Sequence, residues 1–443
     1  MEYQEGVKPK ETREISELLT MEEGERVKVN GAIHTIRNMG TVAFVILRKR
    51  EGLLQAVYEK ENASFPLKSI HEADTVEVTG ILTHNEKAPG GIEIRMEEVR
   101  ILSEAVEEQM PLPIAKWKLN TSLEAKLNYR SISLRNVRER AKFRIQEGLT
   151  RAFRDFLYSQ EFTEIHTPKI GAKGAEGGAN IFKLDYFHRP AVLAQSPQFY
   201  KQMMVGVYDR VFETGPVFRA EKHNTKRHLN EYTSLDFEMG YIDDFTEIMG
   251  METGYLQYAI DLLKKDYAKE LDILEVDLPD AGRIPTVRFD EIKKLVSETY
   301  DRPMHSPYDL EPEEEQLIGL YAKEEWGSDF VFVTHYPSRK RPFYTMDDPE
   351  DPKYTLSFDL LFRGMEVTTG GQRIHDYQML VDKMAARKMS QEGMGQYLET
   401  FRHGMPPHGG LGIGLERLTM QLLGEDNVRE VSLFPRDLSR LEP

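Results

Sequence analysis

The stretch FRAEKHNTKRHLNEYTSLDFEM, residues 218–239, decides how the rest of the chain is read. It alternates Arg219, Arg227 and His228 with Glu221, Glu231 and Glu238. A solvated helix face can also mix signs. Here Gly215-Pro216 come before the charges and His223-Asn224-Thr225 form a turn-rich centre, so the charges are expected inside β-type runs on two strands joined by a loop.

Working outward, further strand-like runs follow at DFVFVTHYP (329–337) and SFDLLFRGMEVTTGG (357–371). Between and after them, EIMGMETGYLQYAIDLLKKDYA (247–268) and LVDKMAARKMSQEGMGQYLETF (380–401) carry helical patterns. Upstream, Ile145, Leu149, Ala152, Phe153, Phe156 and Leu157 recur at the spacing of one buried stripe, predicting a helix over 136–160. An extended run closed by Pro168 comes next. Strands in neighbouring blocks, without regular βαβ alternation, predict an antiparallel α+β domain over 136–443.

The N-terminal part reads differently. Five β-branched-rich runs between residues 26 and 102 are punctuated by Gly, Asn and Pro: RVKVNGAIHTIR, TVAFVILRK, GLLQAVYE, DTVEVTGILTH and GIEIRMEEVRIL. They suit a small closed barrel of the OB type over 1–103, and a two-sheet sandwich fits nearly as well. Residues 104–135, with Pro111 and Pro113 and no periodicity, read as a linker.

Bulk properties bound the function. The chain has 443 residues, 40% hydrophobic and 30% charged, which is globular composition. No run approaches the ~18 apolar residues that span a membrane. The polar N-terminus resembles neither a signal nor a transit peptide. With no cysteine, thiolate metal sites and disulfides are excluded and a cytoplasmic protein is expected. A net charge of −16 argues against non-specific DNA coating, which needs a basic surface, but not against RNA recognised through unstacked bases.

Neither a P-loop nor a dinucleotide fingerprint is present. RKMSQ (387–391) faintly resembles the KMSKS loop of class I synthetases, but it sits in a helical pattern without an upstream partner and is read as surface helix. HGGLGIGLERLTMQLLG (408–424) is more informative, because a glycine-rich turn runs straight into an amphipathic helix. Arg417 stands in that helix's first turn, where a cation costs about 0.3–1 kcal/mol. An anion held between the guanidinium and the helix N-terminus offsets the cost. RGMEVTTGGQR (363–373) places Glu366 and Arg373 across a Gly-Gly turn, and Asp359 with Glu366 supplies the hard oxygens that Mg²⁺ takes beside phosphates.

Together these residues resemble a family. Pro168 after a long helix, FRAE…RHL…FEM and GGLGIGLERL look like motifs 1, 2 and 3 of class II aminoacyl-tRNA synthetases. GAEGGANIF (174–182), LAQSPQFYKQ (193–202) and GGQRIHD (370–376) resemble the aspartyl enzymes of the archaeal and eukaryotic type. The resemblance covers nearly the whole chain and implies an OB-fold anticodon domain joined to a class II catalytic domain.

The resemblance also implies the roles. Arg219 grips the α-phosphate of ATP, Ala220 and Glu221 contact the adenine side, and Arg227, His228 and Leu229 lie along the nucleotide. Gly414, Leu415, Glu416 and Arg417 hold the adenine and γ-phosphate end. Glu366, Thr369 and Asp359 match the Mg²⁺ positions, with threonine where the family usually has serine. Lys201 and Arg373 bind the side-chain carboxylate of L-aspartate, in a segment with Gln198, Phe199 and Tyr200 whose Gln198 is placed on a strand, and Glu176 meets its ammonium. A planar fork and a point charge favour aspartate over asparagine, because a buried cation lacking its carboxylate is heavily penalised. The implied reaction is two-step: attack of the aspartate carboxylate on the α-phosphorus, then transfer to the terminal ribose hydroxyl of tRNA.

In the barrel, the resemblance has Phe44 stacking on the central anticodon base and Gln55 and Glu93 pairing with it, although alternation alone allows Phe44 as barrel core. His34 and Pro89 occupy positions that separate strict from relaxed enzymes, so charging of both tRNA(Asp) and tRNA(Asn) is expected. A homodimer and a downstream amidotransferase acting on Asp-tRNA(Asn) follow from the same resemblance. The alternatives are a discriminating aspartyl enzyme, an asparaginyl enzyme, and an inactive RNA-binding paralogue.

Overall fold

The structure is a computed structural model describing residues 6–107, 109–174, 180–223, 225–303 and 305–442. The chain divides into two compact units, Met1–Arg140 and Ala141–Pro443.

In the first unit a short helix, α1 (Ile15–Leu18), comes before five strands: β1 (Arg26–Asn38), β2 (Val42–Arg48), β3 (Leu53–Glu59), β4 (Thr75–His84) and β5 (Ile92–Ser103). They close into a barrel in the order β1-β2-β3-β5-β4, so the barrel reading holds and the sandwich falls away. The period of two sorts each strand. Ala43, Val45 and Leu47 of β2 and Leu54 and Ala56 of β3 enter the barrel core, which Leu18 of α1 completes. Phe44, Gln55 and Glu93 are left on the outside. Two short helices, α2 (Leu123–Asn128) and α3 (Arg130–Ser133), stand in the segment read as a linker. Ser122 caps α2 by accepting from the Ala125 amide, a signal the sequence carried.

The second unit begins within α4 (Val137–Ser159), whose stripe Ile145, Leu149, Ala152, Phe153 and Leu157 is buried as predicted. The elements after it are β6 (Thr163–Glu164), β7 (Ile170–Gly171), β8 (Lys183–Tyr186), β9 (Arg189–Leu193), α5 (Gln198–Tyr208), β10 (Arg210–Phe218) and β11 (Glu231–Gly240). Then come α6 (Thr246–Asp266), α7 (Ala268–Leu274), β12 (Thr286–Arg288), α8 (Phe289–Thr299), α9 (Pro312–Trp326) and β13 (Phe330–Thr334). The last group is β14 (Ser357–Phe362), β15 (Met365–Arg373), α10 (Tyr377–Ala386), α11 (Gly395–Arg402), β16 (His408–Gly414) and α12 (Leu415–Leu423).

Eight strands form one sheet in the order β12-β13-β14-β15-β16-β11-β10-β6. Its interior pairs are antiparallel, as expected, but the edge pairs β12·β13 and β10·β6 are parallel, so the sheet is mixed. One face packs on helices: Leu235, Phe237 and Met239 of β11 join Leu411 and Ile413 of β16 and the α4 stripe in a single hydrophobic cluster. Burying that many aliphatic and aromatic side chains, at about 1.5–3 kcal/mol each, makes this face the main stabilising layer. Among the described residues no helix is long and apolar enough to cross a membrane.

Several local expectations are corrected. Of the six charges named in the opening stretch, Glu231 and Glu238 lie on a strand as expected, but β10 ends at Phe218 and β11 begins at Glu231, so Arg219, Glu221, Arg227 and His228 ride on the connection between them, in which Asn224 is outside the described residues. The glycines of 409–414 are not a turn but the strand β16. The turn in 363–373 is at Arg363-Gly364, both at positive φ (46° and 74°), and Gly370-Gly371 lie inside β15. Gln198 opens helix α5 rather than sitting on a strand, and RKMSQ is a loop between α10 and α11, not a surface helix.

Candidate active site

The polar face of the sheet floors a cavity of about 600 Å³. Its floor is written in strand register. Asp359 of β14 pairs with Thr369 of β15, Thr369 with Gly412 of β16, and Gly412 with Asp236 of β11. The next row on this face runs Ser357, Gly371, Gly410, Glu238. Ser234, Asp236 and Glu238 alternate with the apolar residues of β11, so period-two geometry turns all three toward the cavity side.

A bulge adjusts β15. Leu360 partners Thr368 while Leu361 partners Glu366, leaving Val367 as the extra residue. The shift brings Glu366 onto the face that Thr369 and Arg373 share, despite the odd spacing of three between Glu366 and Thr369. The Thr369 hydroxyl donates to Glu366 Oε1 at 3.3 Å.

The glycines of β16 are a requirement of the floor. A Cβ on Gly410 would lie 2.2 Å from Glu238 Oε2 and 2.2 Å from the Phe237 carbonyl. Glycine therefore makes room for the carboxylate that organises the amino-acid end of the cavity. Glu238, fully buried, accepts from Arg373 Nε at 2.8 Å and stands 3.3 Å from Lys201 Nζ. Lys201 also donates to Asp236 Oδ1 at 2.9 Å and to the Leu411 carbonyl at 2.8 Å, while Arg373 Nη2 donates to the Gly410 carbonyl at 2.9 Å. Burial raises the Glu238 carboxyl, but the two cations outweigh it and hold it below the usual carboxylate range.

Lys201 and Arg373 thus come together as the sequence reading expects, 1% and 5% exposed. The picture of cations left bare until an amino acid arrives is corrected: Glu238 and Asp236 already pair them. Pairing fixes both groups in place, which is preorganisation rather than vacancy. Glu238 stands among the alternating acids of the opening stretch but was given no place in the site; the alternation Ser234, Asp236, Glu238 was the available signal.

At the other end, Arg227 makes a two-pronged pair with Glu315 of α9, at 2.8 and 3.1 Å. His228 lies 3.3 Å from Glu221. Arg417 donates from Nε to the Arg227 carbonyl at 3.2 Å and stands 3.6 Å from Glu366 Oε1. Burial raises Glu366, yet Arg417, Arg341, Arg227 and Arg219 around it bring it below its ordinary value. Asp359 goes the other way, pushed up to about 6 by burial, with Glu366 adding to the rise and Arg341 opposing it. Burial likewise lifts Glu416 to about 7; it accepts from the Thr233 amide at 3.0–3.1 Å.

Among the described residues no group of three or more His, Asp or Glu is placed to hold a metal by itself. A buried carboxylate (Asp359), a half-buried one (Glu366) and a hydroxyl, with an Asp359 oxygen that makes no hydrogen bond, nevertheless fit Mg²⁺ that completes its shell with phosphate oxygens and water.

Arg219, Glu221, Arg227, His228, Leu229, Gln198, Lys201, Glu366, Thr369, Arg373, Gly414, Glu416 and Arg417 all line this cavity. Asp359 meets it through Arg341 and Thr369. Phe199 and Tyr200 instead line a smaller pocket of about 90 Å³, with Phe199 packed against Tyr397 at 4.8 Å between ring centroids. The Leu415 side chain enters the hydrophobic cluster, and the Ala220 amide donates to the Asn180 carbonyl at 2.7 Å. Glu176 is outside the described residues. Sequence reasoning missed Arg341, Glu315 and Tyr344, which come from loops and helices with no motif around them.

On the barrel, Gln55 donates to Glu93 Oε2 at 2.7 Å, Asn85 reaches the same oxygen at 3.0 Å, and half-buried Phe44 shares the outer face. Pro89 is exposed and opens the turn at Pro89–Gly91 above them. His34 is 4% exposed, and burial with Arg48 nearby drops its pKa to about 4, so the ring is neutral.

Comparison with known proteins agrees with this geometry. The family profile described as tRNA synthetases class II (D, K and N) matches residues 122–438, and an OB-fold nucleic acid binding domain matches 27–102. An aspartate--tRNA(Asp/Asn) ligase of Deinococcus radiodurans is 46% identical over 97% of this chain and 99% of its own length. An aspartate--tRNA(Asp) ligase of Pyrococcus furiosus is 41% identical over 98% and 99%. The crystal structure of asparaginyl-tRNA synthetase from Pyrococcus horikoshii complexed with asparaginyl-adenylate superposes with a TM-score of 0.87 at 31% identity, covering 95% of this chain and 97% of that one. A cavity floored by an antiparallel core of strands, ringed by arginines, and a full-length match on both units lead to one conclusion: the chain belongs to the class II tRNA synthetases of the D, K and N type.

Proposed function

We propose that the protein attaches L-aspartate to tRNA at the expense of ATP and that it charges both tRNA(Asp) and tRNA(Asn). The observation that carries the amino-acid assignment is the Lys201–Glu238–Arg373 cluster, two buried cations fixed at one end of the cavity. An aspartate side chain reaching them meets a point charge and a planar fork. An asparagine side chain brings no charge to either.

Nucleotide binding is assigned to the opposite end. Arg219 and Arg417 stabilise charge on the triphosphate, while Glu315 and Glu221 keep Arg227 and His228 in place. The α-carboxylate of aspartate attacks the α-phosphorus, the bond to pyrophosphate breaks, and aspartyl-adenylate forms. The 3′-terminal ribose hydroxyl then takes the acyl group and AMP leaves. Positioning and electrostatics carry both steps, without a protein nucleophile. Mg²⁺, held by Glu366, Thr369 and Asp359 when bound, supplies neutralisation of phosphate charge.

The relaxed tRNA choice rests on the barrel. Phe44 offers a stacking face, and the Gln55–Glu93 pair offers donor and acceptor edges for one unstacked base. Pro89 brings no backbone donor to the turn above them and His34 is neutral and buried, so neither selects a second base by charge. A cytoplasmic location, a two-fold dimer and an amidotransferase that converts Asp-tRNA(Asn) belong to the same reading. Acylation with radiolabelled aspartate of both tRNA transcripts tests it: comparable rates are expected, and charging of tRNA(Asp) alone rejects the relaxed choice. Light scattering at twice the mass of one chain is expected for the dimer.

A further inference from the structure

The cavity holds a cation that none of the roles above uses. Arg341, 11% exposed, follows the short turn Ser338–Lys340 and lies with its guanidinium carbon 3.9 Å over the ring of Tyr336. Its Nη2 stands 2.8 Å from Asp359 Oδ1. The pair is close in distance but poor in angle, since Asp359 Oδ1 and Arg341 Nη2 and Nε all lack a hydrogen bond. Arg387, from the RKMSQ loop, donates 2.6 Å bonds to the Arg341 and Ser338 carbonyls. The backbone of Arg341 is thus clamped, while its guanidinium is held by the charge of Asp359 and the ring of Tyr336.

We propose that Arg341 is the internal counter-ion of the metal site: its guanidinium stands in the cation's place beside Asp359, and a divalent ion must displace it. The inference rests on the reading of Asp359 and Glu366 as cation ligands. A magnesium ion takes a carboxylate oxygen at about 2.0–2.1 Å, and two cations cannot share one buried oxygen at these distances without strong repulsion. Arginine cannot escape by losing its proton. It can only swing, and its two unused donors then suit an anionic oxygen entering the cavity with the metal. Metal binding is consequently weak until a phosphate-bearing ligand arrives to receive the guanidinium, which couples the cation to the nucleotide.

Titrating the nucleotide-free protein with Mn²⁺ and counting free ion by electron paramagnetic resonance tests this. Arg341→Gln is expected to bind Mn²⁺ at least about 10-fold more tightly than wild type, and Arg341→Lys, which keeps the charge, to stay within about 3-fold. Arg341→Met, which keeps an apolar stem on Tyr336, runs in parallel in case the glutamine disturbs folding. Asp359→Asn added to either neutral variant should abolish the gain. Unchanged or weaker Mn²⁺ binding in both neutral variants overturns the counter-ion role. If Asp359→Asn leaves Mn²⁺ binding untouched, the metal-site reading itself fails.

Discussion

Replacing Lys201 with methionine separates what this side chain does for the fold from what it does for the substrate. Its Nζ satisfies Asp236 at 2.9 Å and the Leu411 carbonyl at 2.8 Å and lies 3.3 Å from Glu238. Removing one partner of a buried pair and leaving the carboxylates behind costs about 3–5 kcal/mol. On the substrate side, one charge-assisted contact to the aspartate carboxylate is worth about 1.5–3 kcal/mol, or roughly 10- to 150-fold in kcat/KM. Lys201→Met alone therefore loses both stability and activity and cannot tell them apart. The double variant Lys201→Met/Asp236→Asn removes the cation and the carboxylate it hydrogen-bonds and leaves Glu238 on Arg373, so most of the stability should return while aspartate selectivity stays lost. Thermal melting reads the first quantity, and pyrophosphate exchange driven by aspartate or asparagine reads the second. A folded double variant that keeps the wild-type ratio of kcat/KM for aspartate over asparagine would refute the assignment of Lys201 to the substrate carboxylate.

Other perturbations follow from the same geometry. Arg219→Gln should lower adenylate formation by about 10²–10³-fold with little change in melting temperature, as measured by pyrophosphate exchange. Phe44→Ala should raise KM for tRNA by an amount equivalent to about 1–3 kcal/mol while leaving pyrophosphate exchange intact; a fall in both would return Phe44 to barrel structure. Glu252 of α6, buried behind the sheet where it accepts from the Thr368 hydroxyl, has its pKa pushed up to about 8 by burial. Because the folded value exceeds the ordinary 4.5, its stabilising contribution is complete below pH 4.5 and is lost as pH rises through about 8. The difference in stability between wild type and Glu252→Gln should thus move against wild type by on the order of 1 kcal/mol per pH unit from about pH 5 to 8, followed by chemical denaturation.

Much of this was legible in the sequence because local pattern and fold agreed. The α4 stripe, the five barrel strands and the alternation on β11 are periodic, and periodicity is what sequence shows best. The misreadings have physical causes. Glycines 409–414 look like a turn by composition, but they form a central strand because Glu238 and neighbouring backbone fill the space a Cβ would take. RKMSQ continues a helical pattern, yet Lys388 at positive φ (54°) breaks it, and Arg387 is spent on two carbonyls of a distant turn. Arg341 reaches the cavity, and Glu315 reaches Arg227 on its wall, through tertiary packing from segments without any motif, so nothing local marked them. The pairing of Lys201 and Arg373 through Glu238 depends on register between three strands and a helix, which residue types alone do not encode.

The central claim is that a pair of fixed, buried cations selects an acidic amino acid for activation. Amino-acid-dependent ATP–pyrophosphate exchange by the purified chain measures this directly. Exchange driven by L-aspartate, with L-asparagine at least about 100-fold poorer in kcat/KM, is the predicted result. Exchange driven by asparagine in preference to aspartate, or none with either, would contradict the account.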